Sequence, residues 1–314
     1  MGNELPDISV VIPSVGRPEL ARALTSVRAQ DYQGRVEILV VFDLAEAGVP
    51  ESALTAAAVG DRILFTGGQR RGGYARNLGV KQASGGWIAF LDDDDEWSPQ
   101  KLRLQMDIAI SQASRGLSPI VGCRVQQIVT KKAAEHVVSG IPNRLIRPEQ
   151  RVEEYLFVGR RPGAKRASFF TSTILAKRSL CLSVPWDASL SRHQDWDWLT
   201  RAGQVSGVTF HQSEEVLATY YVGTQGSISA GAAWKGSHDW AHRVLEPLST
   251  RVFVDFVTAQ TLRYAFQKRD WPGVSTVLKS IFTARKVPSL GPICIGAAGL
   301  LPRATFQNLM RKIR

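Results

Sequence analysis

Within the first 115 residues, short apolar runs alternate with stretches whose apolar side chains recur at helical spacing. Ile8 to Ile12 is a β-branched run closed by Pro13. Arg17-Pro18-Glu19 then opens a helix with proline in its first turn, and Leu20, Ala23, Leu24 and Val27 share one face. Val36 to Phe42 reads as a second strand and Arg62 to Thr66 as a third; Tyr74 to Ala83 reads as a helix. Trp87 to Leu91 is a fourth strand, halted by four aspartates, and Pro99 starts a helix through about Ser111. Runs this apolar are buried on both faces, which calls for an α/β fold: a mostly parallel sheet flanked by helices. Ligands of such sheets gather beyond the carboxyl ends of the strands. Ser14, Asp43 and Asp92 to Asp95 stand there.

From Ser118 to about Tyr221 the pattern is mixed, with strands near 119–130 and 170–176 and a helix near 149–158. Beyond Ser237 the chain reads as helical to about Arg285. Two regions follow: 1–230, divided into halves 7–115 and 116–230, and a helical, basic extension over 231–314. The net charge of +11 is concentrated at the end, since Arg263 to Arg314 hold ten basic residues and one acid, or +9. A nucleic-acid enzyme spreads its basic side chains along the working groove, so no nucleic-acid partner is expected. A basic terminal segment suits an anionic membrane surface or an acidic partner, and equally a plain solvated tail. Residues 287–302 are uncharged but only 16 long and broken by prolines and glycines, too short to span a bilayer. Arg303 to Arg314 reads as an amphipathic interfacial helix, which makes 287–314 the candidate membrane contact, and it suits core packing or a dimer contact equally. Three cysteines far apart, with no signal-peptide pattern at the start, suit a cytoplasmic protein, with a peripheral place on the inner face of the cell membrane.

Three segments carry chemistry. Leu91-Asp92-Asp93-Asp94-Asp95-Glu96-Trp97 sets four carboxylates side by side after a buried strand. An isolated run of this kind is an acidic surface turn; at a strand end it suits a divalent cation with oxygen ligands. Gly72-Gly73-Tyr74-Ala75-Arg76-Asn77-Leu78-Gly79 offers glycines before a helix and an arginine for an anion, but it is neither a dinucleotide fingerprint nor a P-loop. In Arg192-His193-Gln194-Asp195-Trp196-Asp197-Trp198, Asp195 falls in the first turn of a helix, poised to accept a proton or simply to cap the helix.

The order of these segments resembles a family-2 glycosyltransferase with the GT-A fold. The matching pieces are ISVVIP at 8–13, ILVVFD at 38–43, ARNLG at 75–79, FLDDDDEWSPQKL at 90–102 and HQDWDWLTRAG at 193–203, over roughly residues 7–225. The resemblance implies an inverting transferase that uses a nucleotide sugar, with a UDP-sugar the first expectation, and Mn²⁺ or Mg²⁺ as cofactor. It places the nucleotide against Pro13, Ser14, Arg17, Asp43, Arg76, Asp92 and Asp93, and the metal on Asp94 and Asp92 of the DxD motif. Asp195 becomes the general base toward the acceptor hydroxyl. Thr171, Ser172 and Thr173, on a strand, lie beneath the acceptor with His193 nearby. The acceptor expected is a saccharide or lipid-linked chain in surface polysaccharide synthesis. No Gln-x-x-Arg-Trp follows Asp195, which points to one sugar added at a time. Three departures stand out: Gln194 where the family has Glu, Gln69-Arg70-Arg71 in place of Asn-x-Gly, and a single Asp43 where two are common. Gly159 to Ala167 and Tyr221 to Ala230 are candidate lids over the acceptor. A sugar-nucleotide nucleotidyltransferase is disfavoured by the glycine-poor Pro13-Ser14-Val15-Gly16-Arg17, and a non-catalytic scaffold with a basic partner-binding arm is the remaining alternative.

Overall fold

The computed structural model of the chain describes residues 5–131, 134–163, 167–222 and 234–301. The chain forms two compact units, one of residues 1–141, 145–149 and 169–225, the other of 142–144, 150–168 and 226–314.

The first unit is built on one sheet. Its strands are β1 (Ile8–Ser14), β2 (Val36–Phe42), β3 (Arg62–Phe65), β4 (Trp87–Phe90), β5 (Glu96–Trp97), β6 (Ser118–Lys131), β7 (Ala134–Ile141), β8 (Leu175–Lys177) and β9 (Val208–Val222). They run in the order β3-β2-β1-β4-β8-β6-β9-β5, with β7 paired to β6. β3, β2, β1 and β4 are parallel to one another, β8 is antiparallel to both its neighbours, and β6 and β9 are again parallel. Helices α1 (Leu20–Arg28), α2 (Glu51–Ala57), α3 (Arg71–Gln82), α4 (Lys101–Ala113), α6 (Arg178–Ser183) and α7 (Gln194–Ala202) belong to this unit, and α5 (Val152–Phe157) to the other. The α/β architecture is therefore the one the apolar runs require.

β1 explains the layering. Ile8, Val10 and Ile12 join a core with Leu20, Leu24 and Val27 of α1, while Val11 points to the other face. There it meets α3 so closely that a methyl group at Gly79 would overlap Val11 Cγ1. Register then brings the strand ends together. Ser14 lies opposite Phe42, Val11 opposite Phe90, and the backbone N–H of Asp43 donates to Ser14 O at 2.8 Å. The acidic turn after β4 thus emerges beside the ends of β1 and β2.

One element differs from the sequence reading. Thr171–Thr173 is a single 3-10 turn, not a strand, and β8 spans only Leu175–Lys177. The backbone N–H and hydroxyl of Thr173 both donate to Phe170 O, at 2.9 and 2.8 Å, so the polar groups of this segment close a local turn.

The second unit is helical, with α8 (Trp234–Trp240), α9 (Thr250–Phe256), α10 (Arg263–Gln267), α11 (Trp271–Thr283) and α12 (Leu290–Ala297). π-helical turns at Ala241–Leu245 and Val257–Leu262 follow α8 and α9. Phe157, Trp240 and Phe256 pack edge to face at its centre, 5.1 to 6.2 Å apart. Buried Asp255 accepts from Gly159 N at 2.9 Å and from Ser289 N at 2.7 Å. Among the described residues no helix is long and apolar enough to cross a membrane. The expected amphipathic helix at Arg303–Arg314 and most of the Tyr221–Ala230 segment lie outside the described residues, as do 164–166 of the Gly159–Ala167 loop.

Candidate active site

Asp92 to Asp95 leave β4 as an extended tight turn, and burial alternates along it: Asp93 and Asp95 are enclosed, while Asp92 and Asp94 keep exposure. The inward pair holds the turn in place. Asp93 accepts from Ser14 Oγ at 2.6 Å and from Arg17 Nη1 at 3.3 Å, tying the turn to the end of β1. Asp95 accepts from Ser172 Oγ at 2.5 Å and from Tyr221 N at 3.3 Å. The same Ser172 hydroxyl oxygen accepts from Asp92 N at 3.1 Å, and its carbonyl accepts from Trp97 Nε1 at 2.7 Å. Burial raises the Asp93 carboxyl to about 6 against the opposing pull of Ser14 and Arg17, and it raises Asp95 well above the ordinary carboxylate range.

The outward pair faces cations. Arg17 Nη1 lies 3.0 Å from Asp94 Oδ2, and Arg76 Nη2 lies 2.6 Å from Asp92 Oδ1. Arg22 donates to Asp94 O at 2.8 Å and stacks over the Tyr221 ring at 3.7 Å, closing the rim.

Arg76 joins this turn to α7. Its Nη1 donates to Gln194 Oε1 at 3.1 Å while Nη2 holds Asp92, and the guanidinium lies against the Trp186 ring at 4.9 Å. The helix that carries it is fixed by its neighbours in the sequence. Asn77 pairs with the Trp186 backbone in both directions, each bond 2.8 Å, and Gly79 lets α3 settle on β1. Trp186 stacks on Trp198 of α7 with centroids 5.3 Å apart, and Trp198 Nε1 donates to Val184 O at 2.7 Å. A continuous packed wall therefore connects Arg76 with Asp195.

Asp195 sits in the first turn of α7, behind His193, whose backbone is left-handed at φ 61°. His193 stacks on Trp196, and its carbonyl accepts from Asp197 N at 2.8 Å. The Asp195 side chain keeps some exposure at the rim, yet desolvation in the wall raises it to about 6; backbone N–H bonds and the Arg76 charge pull the other way. A carboxylate tuned to this range is a competent proton acceptor near neutral pH.

The other expected site residues fall as follows. Asp43 is turned to the 66–71 loop: Oδ1 accepts from Thr66 Oγ1 and Arg70 N, at 2.5 and 2.9 Å, and Oδ2 from Arg71 N at 2.7 Å. It thereby holds Gln69 and Arg71, both left-handed, in a strained turn. Pro13 and Ser14 end β1, and Arg17 follows them at the acidic turn. Ser172 and Thr173 are enclosed, at 2% and 0% exposure, and of the three turn residues only Thr171 reaches partial exposure. Ser172 thus acts through Asp92 and Asp95 from behind. Sequence reading missed Trp186, and it marked Asn77 only within ARNLG and Gln194 only as a departure; their closeness to Arg76 and Asp195 in the fold makes all three parts of the wall.

The fit to a divalent cation follows from the donor set. Asp92 and Asp94 offer hard oxygen donors on the exposed side of the turn, and no group of three or more His, Cys, Asp or Glu side chains converges among the described residues. One or two carboxylates with the rest of the shell from phosphate and water is how Mg²⁺-type ions sit at diphosphates. The residues fit that group.

Residues 9–162 match the family model described as Glycosyl transferase family 2. The amylovoran biosynthesis glycosyltransferase AmsB of Erwinia amylovora is 26% identical over 77% of this chain and 79% of its own length. The succinoglycan biosynthesis protein ExoO of Rhizobium meliloti is 36% identical over 34% of this chain and 31% of its length, so the chain spans about a third of that relative. Among solved structures, S. aureus TarS 1–349 in complex with UDP-GlcNAc superposes with a TM-score of 0.62 at 14% identity, covering 88% of this chain and 81% of that one. The likeness to TarS is one of fold. Residues 9–162, which hold the acidic turn and Arg76, are thus similar to family-2 glycosyltransferases, and the chain shares its fold with the TarS structure.

Proposed function

We propose that the chain transfers one sugar at a time, with inversion, from a nucleotide sugar to a hydroxyl of a saccharide or lipid-linked acceptor in surface polysaccharide synthesis. The observation that carries this reading is Arg76, whose guanidinium is held by Asp92 of the acidic turn on one side and Gln194, next to Asp195, on the other. That arrangement separates a cationic, carboxylate-lined place for a diphosphate from a carboxylate able to take a proton. Arg76 and Arg17 orient the diphosphate, exchanging carboxylate partners for phosphate oxygens. Asp92 and Asp94 would hold Mn²⁺ or Mg²⁺, which when bound neutralises charge developing on the leaving diphosphate. Asp195 takes the proton of the acceptor hydroxyl as that oxygen attacks the anomeric carbon from the face opposite the leaving group. Amylovoran and succinoglycan in the names of the relatives support a polysaccharide acceptor, and the UDP-GlcNAc complex of TarS supports a UDP-sugar donor. Domain 1–230 carries this chemistry in the proposal, and 231–314 serves its placement at a membrane.

The test is a thermal-shift panel of UDP, GDP, dTDP and CMP, each with and without Mn²⁺. A nucleotide at 100 times its Kd adds about 2.7 kcal/mol of stability. Stabilisation by UDP that depends on the metal is expected. Silence toward every nucleotide overturns the reading, and a response to GDP or dTDP alone reassigns the donor.

A further inference from the structure

The second unit carries a surface its own core does not explain. Of the fifteen large apolar side chains exposed among the described residues, eight fall between Trp271 and Leu301. Trp271, Leu278 and Phe282 recur at seven and four residues along α11, on a single stripe, and Phe282 is 86% exposed. Val287 and Leu290 follow at 76% and 77%. α12 continues the patch: its inner side is pinned by Gly296 against Thr258 O, with Gly299 beyond it against Arg263 O, so close that a methyl group at either would collide. Its outer side shows Leu290, Ile293, Cys294 and Ala297, with no polar side chain among them. A helix apolar on both sides needs a cover.

Charge identifies the cover. Lys268, Arg269, Lys279, Arg285 and Lys286 are all exposed beside the patch. The single acid of the region, Asp270, is occupied in capping α11 through Gly273 N at 2.9 Å and in accepting from Trp234 Nε1 at 2.7 Å. Ten basic residues and one acid from Arg263 to Arg314 give +9, so two copies meeting face to face would repel. An apolar stripe ringed by cations, on helices too short to span, matches the interface of an anionic bilayer.

We propose that the outer faces of α11 and α12 seat the protein on an anionic membrane surface, with Phe282, Leu290 and Ile293 entering the acyl boundary and Lys279, Arg285 and Lys286 at headgroup level. This proposal stands apart from the donor site, and its failure leaves that site untouched.

The full chain would be labelled at Cys294 with an environment-sensitive fluorophore; Cys123 and Cys181 are buried. It would then be titrated with vesicles of phosphatidylcholine containing one-third phosphatidylglycerol, and with pure phosphatidylcholine. Co-sedimentation and a blue shift with the anionic vesicles are expected. The double variant Phe282→Asp/Leu290→Asp should lower partitioning by roughly tenfold or more, with an unchanged thermal midpoint because both positions are exposed. Arg285→Glu/Lys286→Glu should weaken binding to the anionic vesicles specifically. Wild-type protein that stays in the supernatant overturns the proposal, as does partitioning indifferent to the Asp pair. Sedimentation equilibrium showing self-association abolished by that pair, without vesicle binding, overturns it as well and gives the face to a second copy.

Discussion

In the proposed transfer Asp195 works through its protonation state, and two substitutions read that out separately. With its carboxyl raised to about 6, the group is mostly ionised at pH 7 and protonated below pH 5. The rate should therefore rise with pH through an acid limb near 6, measured as kcat/KM against pH, which reports the free enzyme's groups. Asp195→Asn removes the acceptor for the proton and keeps the shape; turnover should fall about 10²–10⁴-fold while the nucleotide thermal shift persists. Equal loss of turnover and nucleotide binding would instead make the residue part of the donor pocket. Gln194 tunes the neighbouring charge. Its Oε1 accepts from Arg76 Nη1 at 3.1 Å and its Nε2 donates to Leu190 O at 2.6 Å, so a neutral side chain stands beside Asp195. Gln194→Glu sets a second negative charge next to Asp195, so the acid limb should move to higher pH. An unmoved limb would show that Arg76 absorbs the added charge completely.

At the scale of elements, α3 shows why local motifs carry more than local meaning. Ala75 is enclosed, Arg76 crosses to Asp92, Asn77 grips the Trp186 backbone, and Gly79 allows contact with Val11. Gly79→Ala would force α3 off β1, and overpacking of this kind costs about 1–3 kcal/mol, checked by urea denaturation. A neutral result would mean that the sheet yields at Val11. The same helix marks the reach of sequence reasoning. Strands β1, β2 and β4 were legible because apolar runs buried on two faces have few other homes, and the acid positions at their ends followed from the parallel arrangement. The turn at Thr171–Thr173 was not legible, because its three hydroxyl residues suit a strand as well as a turn until the acidic turn that Ser172 serves is in place. Trp186 was invisible for a related reason: its role depends on stacking with Trp198, twelve residues on, and on Asn77, 109 residues before it. Long-range partners leave no periodicity to read.

Stability against pH is a property of the whole molecule, because every group that binds protons differently in the folded and unfolded chain adds to one slope. Two groups of the first unit push that slope in opposite directions. Asp195 is raised from 3.8 to about 6, so between those values the folded state holds more protons, and its contribution to stability is lost as pH rises from about 4 to 6. Lys101 is fully enclosed, bonded to Gln105 Oε1 at 2.7 Å and placed over Trp97 at 3.8 Å, and burial lowers it from 10.5 to about 8. Between those values the unfolded chain holds more protons, so stability should rise with pH from about 8 to 10.5. A displacement of that size corresponds to about 3 kcal/mol at most. These two groups together favour a shallow minimum of stability between pH 6 and 8, against the usual maximum there. Guanidinium unfolding across pH 4 to 10.5 would show it, and the variants assign shares of it: Asp195→Asn should make the acid side shallower, leaving the part that the raised Asp93 and Asp95 contribute, and Lys101→Met should remove the rise on the alkaline side. Lys101→Met removes the buried charge but leaves Gln105 Oε1 without its donor, so its stability at pH 7 reports the balance of the two, while the change of slope above pH 8 reports the lost proton together with its effect on the buried Cys123 thiol, which Lys101 pulls down. A slope that survives Lys101→Met would place the alkaline titration on another group and leave Lys101 charged in its pocket, held by Gln105 and the Trp97 ring.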